Sequence, residues 1–501
     1  MRYIIGSCVL TLFIACAAMA QPIDPKAEAP APPELPKFEL PGIKVSPLKE
    51  DVTEIALPAA AGEAKVGGGG RFIVIQIPEH RKLALFDVNE AKITKYLSLS
   101  EENAKFAAGL DRVLVANPTA GALQRFSLIT FEKELTGRLP GTGNVNSVLM
   151  GSATKGPVFI GGSAGSFFLD ATTLREVQHT WLDRAGRSER APFDFNTYAP
   201  TLRMSANGRV MTAWNTNLSP GGLRSFKIDS TRKITQHYQH ETVGYNYPSA
   251  DGQMLYTAGQ IFTSETKPVT EKKARHGSMV WYLPSAQGSY YLSLNEVPKD
   301  ISKSGLTLSV YMQGQDQPIV VLANLEGLEG LVDWLRGSTL SWDEHIFYVP
   351  DAQLLAIITS TKQKLILHRL DLEKKLEASG IDYLLVTSAP PLEFKPVSAV
   401  TYQMTAKAKK SPATFKLDDG PPGMTVTPSG LLKWNVPGSF KEPEVSVIVT
   451  VADAAGQEIF HTFRMTNASA VASPGMAKPD PGNKNKQPSR PPSKSAKDRK
   501  E

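Results

Sequence analysis

Ser205-Ala206-Asn207-Gly208-Arg209 and Ser249-Ala250-Asp251-Gly252-Gln253 are one five-residue phrase used twice, 44 residues apart. Asn-Gly and Asp-Gly are the strongest two-residue hairpin signals, because the turn that suits twisted strands asks for positive φ at both positions. Each phrase leads into an apolar strand, at 210–213 and 254–256, and then to a second one, at 223–226 and 279–282. The same turn position recurs at Arg71, Arg112, Gly156, Gln317 and Gln353. The strands after these turns fall at 72–77, 113–116, 158–160, 319–322 and 354–358, and their partners at 83–86, 123–126, 167–169, 331–334 and 364–367. The pattern predicts seven four-stranded units.

Units of about 40–50 residues, each with four short strands, are the signature of a β-propeller. One such sheet cannot hide both faces. A radial array hides them against each other, so strands such as 72–77 become continuous apolar runs. Residues 52–57 form an isolated strand-like run ahead of the first unit. They are expected to close the ring as the outer strand of the last unit beside 364–367, with 382–386 competing for that place.

These S-A-[ND]-G-[RQ] turns make residues 50–386 resemble bacterial extracytoplasmic β-propellers of the tryptophan–aspartate-repeat type. No unit ends in Trp-Asp and none carries Gly-His, so six or eight units stay open beside seven. Residues 387–467 read differently. Gly420-Pro421-Pro422-Gly423-Met424-Thr425-Val426 runs into Ser429-Gly430-Leu431-Leu432-Lys433-Trp434, and a strand at 445–451 leads to Asp453-Ala454-Ala455-Gly456. This resembles the immunoglobulin- and cadherin-like domains of bacterial surface proteins, and the resemblance implies a β-sandwich with Trp434 in its core. Related domains sometimes bind calcium. A calcium site takes about six to eight oxygens, and Asp418, Asp419 and Asp453 alone supply few, so no cofactor is expected. The fold class expected is all-β, a seven-bladed propeller followed by an immunoglobulin-like sandwich.

The ends of the chain are not expected to join either module. Residues 1–20 read as a secretory signal: Arg2, an apolar stretch at 4–18, and Ala18-Met19-Ala20 before Gln21, with cleavage between Ala20 and Gln21. Phe13-Ile14-Ala15-Cys16 offers the alternative of lipid anchoring at Cys16. Residues 21–49 hold eight prolines and read as an extended linker. Residues 468–501 read as a disordered basic tail, in which eight Lys and Arg face three Asp and Glu. That tail carries five of the chain's six net positive charges, so the basic balance is no argument for nucleic-acid binding. Cys8 and Cys16 are the only cysteines, which excludes a disulfide-stapled fold and a cysteine-rich zinc site. No apolar run of membrane-spanning length follows the signal.

Catalytic motifs are few. Gly161-Gly162-Ser163-Ala164-Gly165 matches G-x-S-x-G, but an apolar strand follows where a nucleophile elbow needs a helix. His237 and His240 sit three apart on a strand, which sends them to opposite faces. Gly67–Gly70 lacks the Lys-Ser/Thr of a phosphate loop and reads as a close approach of backbone. No catalytic or metal residue is assigned.

The function expected is that of an exported, periplasmic or extracellular, non-enzymatic binding or scaffold protein. It would recognise a protein or an anionic envelope polymer. The alternatives are a propeller hydrolase or lactonase with a central-channel site, and a purely structural envelope component. Two unit intervals, 53 and 64 residues, exceed the 36–44 of the others and mark insertions at 181–199 and 261–277. Trp181, Arg184, Arg187, Arg190, Phe193, Phe195 and Tyr198 lie in the first and Lys267, Lys272, Lys273 and Arg275 in the second, with Trp214 starting the loop between them. Aromatic residues mixed with Arg suit an interface core, and the positive balance suits an anionic partner.

Overall fold

In the computed structural model, the Ser205 amide donates to the Val210 carbonyl at 2.8 Å, and the Val210 amide donates to Ser205 Oγ at 3.0 Å. The Asn207 carboxamide accepts from the Arg209 amide at 3.0 Å, and Asp251 repeats this with Gln253 at 3.0 Å. Only the glycines take positive φ, +70° at Gly208 and +71° at Gly252. The amides of both glycines return to the carbonyl three residues back. The turn is therefore a type I turn continued by a left-handed glycine, not the expected two-residue type. Side-chain acceptance by Asn and Asp selects it, and that needs no positive φ at those residues.

The described residues are 40–467 apart from 41, 142, 183–186, 190–199, 216–217, 271–279, 314, 316, 332–340, 379, 389 and 392. The expected signal segment, the expected tail and most of the expected linker lie outside them. Among the described residues, seven sheets follow one another from Val52 to Arg369, antiparallel except where Thr180–Leu182 adds in parallel to the fourth. Their first strands are Ala64–Gly67, Lys105–Ala108, Val145–Leu149, Thr201–Met204, Tyr247–Pro248, Val280–Pro284 and Ile346–Val349. All seven contribute to the wall of one central cavity. The sheets pack radially. In the first, Phe72 and Val74 meet Phe106 and Val115 of the second, while Ile73 and Ile75 on the opposite face meet Phe347 and Leu354 of the seventh. Every residue of Phe72–Ile77 is buried, as a strand covered on both faces requires. The chain is all-β, and this part of it is a β-propeller.

Val52–Ala56 is the outermost strand of the seventh sheet, paired antiparallel from Val52↔His368 to Ala56↔Lys364. The competing segment goes elsewhere: Leu384–Val386 pairs with Ala406–Ala408 in the C-terminal module, so that module begins before residue 387. The linker expected at 21–49 ends earlier than its proline content suggests. Ser46 donates its amide to Ala352 at 2.9 Å, Arg369 donates to the Leu48 carbonyl, and Leu48 is buried.

The fifth and sixth units differ from expectation. The fifth sheet is Tyr247–Pro248, Met254–Tyr256 and Ile261–Thr263, and Val280–Pro284 already opens the sixth. The second strand of the sixth is Tyr290–Glu296. Val320–Ala323, expected in that role, is its edge strand, and Leu306–Met312 is its third. The segment 261–270 is thus no insertion: Lys267 and Val269 run back along the third strand through Thr263 N–Lys267 O (2.8 Å) and Val269 N–Ile261 O (2.9 Å).

At one end the turns between first and second strands converge and bond to one another: Gly68 to Gly109, Leu110 to Thr154, Ala153 to Ala206, Asn207 to Ala250 and Ala286 to Tyr348. Gly69 also reaches Ser152, and Gln287 reaches the Gly69 carbonyl. This closeness is why Gly67–Gly70 is glycine. A Cβ at Gly67 would stand 2.7 Å from the Ala108 Cβ of the next sheet. Gly67→Ala is expected to cost about 1–3 kcal/mol in urea unfolding, as overpacking does; an unchanged midpoint would mean that the turns do not meet.

The C-terminal residues form two facing sheets, Glu393–Phe394/Glu458–Asn467/Glu444–Ala452/Thr414–Asp419 and Ala399–Gln403/Leu431–Asn435/Thr425–Val426, around one core. Trp434 is 1% exposed there and its indole donates to the Pro422 carbonyl at 3.2 Å. Alternate residues Val445, Val447, Val449 and Val451 point inward. A short helix, Leu372–Ala378, joins the modules and buries Leu372 and Leu376 in the cluster between the fifth, sixth and seventh sheets. Arg209 pairs with Glu444 at 3.1 Å, and Glu444 pairs with Arg464 at 3.2 Å.

Burial holds the imidazoles of His179 and His461 down at about 4. Both titrate near 6.5 when unfolded, at about the ordinary histidine value. The unfolded chain therefore takes up these protons first, so stability present above pH 6.5 is lost as pH falls toward 4. Melting temperature is expected to fall across that window and to fall less in the double change His179→Phe/His461→Phe. Equal pH slopes would remove these histidines as the cause.

Candidate functional site

The end of the channel opposite the converging turns is where the first strands begin, and charge collects there. Arg203 lies on the first strand of the fourth sheet. Its guanidinium crosses the channel to the turn Trp342–Glu344, which precedes the first strand of the seventh. Nε and Nη2 fork onto Asp343, Nη2 also donates to Glu344 Oε1 at 2.8 Å, and Nη1 donates to the Leu202 carbonyl at 3.0 Å. The guanidinium stands 5.5 Å from the Trp214 ring, which meets Tyr247 edge-on at 5.5 Å. Tyr247 stacks on Tyr245 at 4.3 Å and its hydroxyl accepts from the Trp342 amide at 3.1 Å. Burial pushes both tyrosines far above their ordinary range. They remain neutral hydroxyls.

A second charged group lies beside the first two sheets. Glu63 takes Lys65 at 3.0 Å and also takes Lys105. Lys65 donates onward to the Phe106 carbonyl at 2.7 Å. Burial alone would raise the Glu63 carboxyl, but the two ammoniums outweigh it and hold it at about 2. Glu344 goes the other way: burial raises it, and Asp343 and Glu63 add to that against the pull of Arg203. Between the charged rim and the turns lies a cavity of about 150 Å³, walled mostly by Ala, Val, Met and Pro side chains. Glu63 and Lys105 also face an outer groove of about 560 Å³ between the first and second sheets.

Among the described residues expected to bind a partner, Trp214 meets this site through its ring beside Arg203. Trp181 is buried. It lies on Thr180–Leu182, which adds in parallel to the outer edge of the fourth sheet, and packs against Phe226 at 5.6 Å. Trp214 is 5% exposed and belongs to the core. Neither is a loop anchor, because an indole next to an apolar strand is drawn inward. Arg187 is exposed, and Lys267 pairs with Glu265 at 3.2 Å. Arg184, Arg190, Phe193, Phe195, Tyr198, Lys272, Lys273, Arg275, Ala20 and Gln21 lie outside the described residues.

The other motifs are local structure. Ser163 and Ala164 make the two-residue turn of the hairpin Val158–Gly162/Gly165–Leu169. His240 bonds to Tyr238 Oη at 2.9 Å beyond the strand that carries His237. Asp453 caps its turn through the amides of Ala455 and Gln457, while Asp418 accepts from Thr450. Among the described residues, no three His, Cys, Asp or Glu side chains gather as a metal site would require. Sequence reading passed over Arg203, Asp343 and Glu344. The available signal was Arg203, a charge two residues ahead of a Ser-Ala-Asn-Gly turn and so on a first strand.

No protein-family model matches the chain, and no curated protein matches it. Among solved structures it is similar to the β-propeller domain of Cps50 (Swd1) from Myceliophteria thermophila, at 12% identity and a TM-score of 0.42, over 64% of this chain and 99% of that one. It is similar to hydrazine synthase of Kuenenia stuttgartiensis at 11% identity and a TM-score of 0.39, over 64% and 98%. Hsv2p of Kluyveromyces lactis follows at 10% and 0.39, over 60% and 89%.

Proposed function

We propose that the chain is an exported, non-enzymatic binding or scaffold protein. In this reading it is a seven-bladed propeller followed by an immunoglobulin-like sandwich, and it recognises a protein or an anionic envelope polymer on the propeller face where the channel opens. The observation that carries the non-enzymatic part is the pairing at that mouth. Arg203 is committed to Asp343 and Glu344, and Glu63 to Lys65 and Lys105. General acid–base or nucleophilic work needs a group whose proton can be given or taken beside a reacting atom. Charges held in ion pairs build a rigid polar surface instead, which is what specific recognition uses.

The test is a comparison of binding with turnover. The purified mature chain is incubated with washed envelope fragments and, separately, with lactone and ester substrates in the presence of divalent metals. Saturable binding without turnover is expected. Metal-dependent hydrolysis, abolished by Glu344→Gln, would replace this reading with the hydrolase. The basic tail contributes at most a salt-sensitive attraction, so truncation after Asn467 should leave the melting temperature unchanged. A fall of several degrees would mean that the tail packs on the fold.

A further inference from the structure

The two charged groups at the mouth are each unbalanced, in opposite senses. Beside the first and second sheets, Lys65 and Lys105 share the single carboxylate of Glu63. Beside the seventh sheet, Asp343 and Glu344 share the single guanidinium of Arg203. One group counts two positive charges against one negative, and the other counts the reverse. Lys65, Arg203, Asp343 and Glu344 line the same cavity of about 150 Å³. Glu344 lies near enough to Lys65 and Glu63 to feel both charges. Below the rim the wall includes Ala107, Val148, Met150 and Pro284, apolar neighbours that strengthen the field between the opposing charges.

We propose that this cavity binds a small zwitterion, a free α-amino acid with a short aliphatic side chain. Its carboxylate meets Lys65, its ammonium meets Asp343 and Glu344, and its side chain enters the apolar space beneath. The assignment rests on reading the protein as a binder and names a ligand class for its channel mouth. A simple anion would satisfy Lys65 but be repelled by the two carboxylates. A simple cation would face the excess ammonium charge of the other group. Only a molecule carrying both charges at close spacing relieves both imbalances, through charge-assisted hydrogen bonds at each end. A space of about 150 Å³ suits a short side chain.

The test uses the full mature chain and titration calorimetry, with glycine, alanine and valine as probes. The same amino acids carrying an N-acetyl or a C-terminal amide group serve as controls, since each block deletes one charge. Binding of at least one free amino acid is expected, with either block weakening it about ten-fold or more, the value of one charge-assisted contact. Lys65→Met and Glu344→Gln are expected to weaken it similarly. The blocked ligands test the wild-type chain directly, so a variant that fails to fold does not decide the result. No binding by any free amino acid, equal binding of blocked and free forms, or wild-type affinity in both variants would overturn the proposal. If amino acids fail while envelope fragments still bind saturably, this inference falls and the binding-protein reading stands.

Discussion

Deleting Val52–Ala56 lowers the melting temperature by about 10 °C or more, a larger effect than ordinary point substitutions produce. Through this strand the beginning of the folded region completes the last sheet, in register from Val52↔His368 to Ala56↔Lys364. Without it, Lys364–Arg369 becomes an open edge whose backbone donors and acceptors lose their partners. The ring also loses the strand pairing that closes it, and the seventh sheet keeps only scattered bonds such as Ser46 to Ala352 and Ala286 to Tyr348 beside its packing. Ile55 leaves the cluster shared by the first and seventh sheets. Differential scanning calorimetry of the deletion beside the intact chain reads this directly. A synthetic peptide spanning 42–57 should restore part of the loss, since the strand position is already shaped by its neighbours. A deletion that melts like the intact chain would show that the ring is closed some other way.

Arg203→Met costs about 2–4 kcal/mol in urea unfolding. The lower end of the usual range for a broken buried ion pair applies, because Asp343 and Glu344 each keep 21% of their side-chain surface exposed. Two carboxylates are left beside each other with their shared cation gone. Burial already raises the Glu344 carboxyl, and loss of the cation removes the pull against it, so the destabilisation is full at neutral pH and shrinks as pH falls and Glu344 protonates. The triple change Arg203→Met/Asp343→Asn/Glu344→Gln should recover most of the loss and remove its pH dependence. If Arg203→Met alone is neutral, the guanidinium does not brace the fourth sheet against the seventh.

What the sequence could show depended on how local the signal was. The Ser-Ala-x-Gly turns were legible because each is a self-contained hydrogen-bonded unit of five residues. The sixth unit was misplaced although it carries the same phrase in weaker form, Ser285-Ala286-Gln287-Gly288-Ser289. The Ser285 amide there donates to the Tyr290 carbonyl as the Ser205 amide does to Val210. The missing Asn or Asp hid it, and the strand Tyr290–Glu296 that follows was passed over. Trp181 and Trp214 were read as surface anchors because their loops are rich in Arg and aromatics, while their own strands bury them. Closure by Val52–Ala56 was legible because an isolated apolar strand ahead of a repeat has few places to go. The channel mouth was not. Arg203 and Asp343 are 140 residues apart and meet only because a ring puts the fourth sheet opposite the seventh. No periodicity records a contact made across an axis.

The claim that the folded faces, and not the basic tail, recognise the envelope is tested most directly by co-sedimentation. The mature chain and the form truncated after Asn467 are each titrated with washed envelope fragments at low and at high salt. The account predicts saturable binding by both forms, with the truncated form losing only the most salt-sensitive part. Binding that never saturates, or that vanishes with the tail, would contradict it.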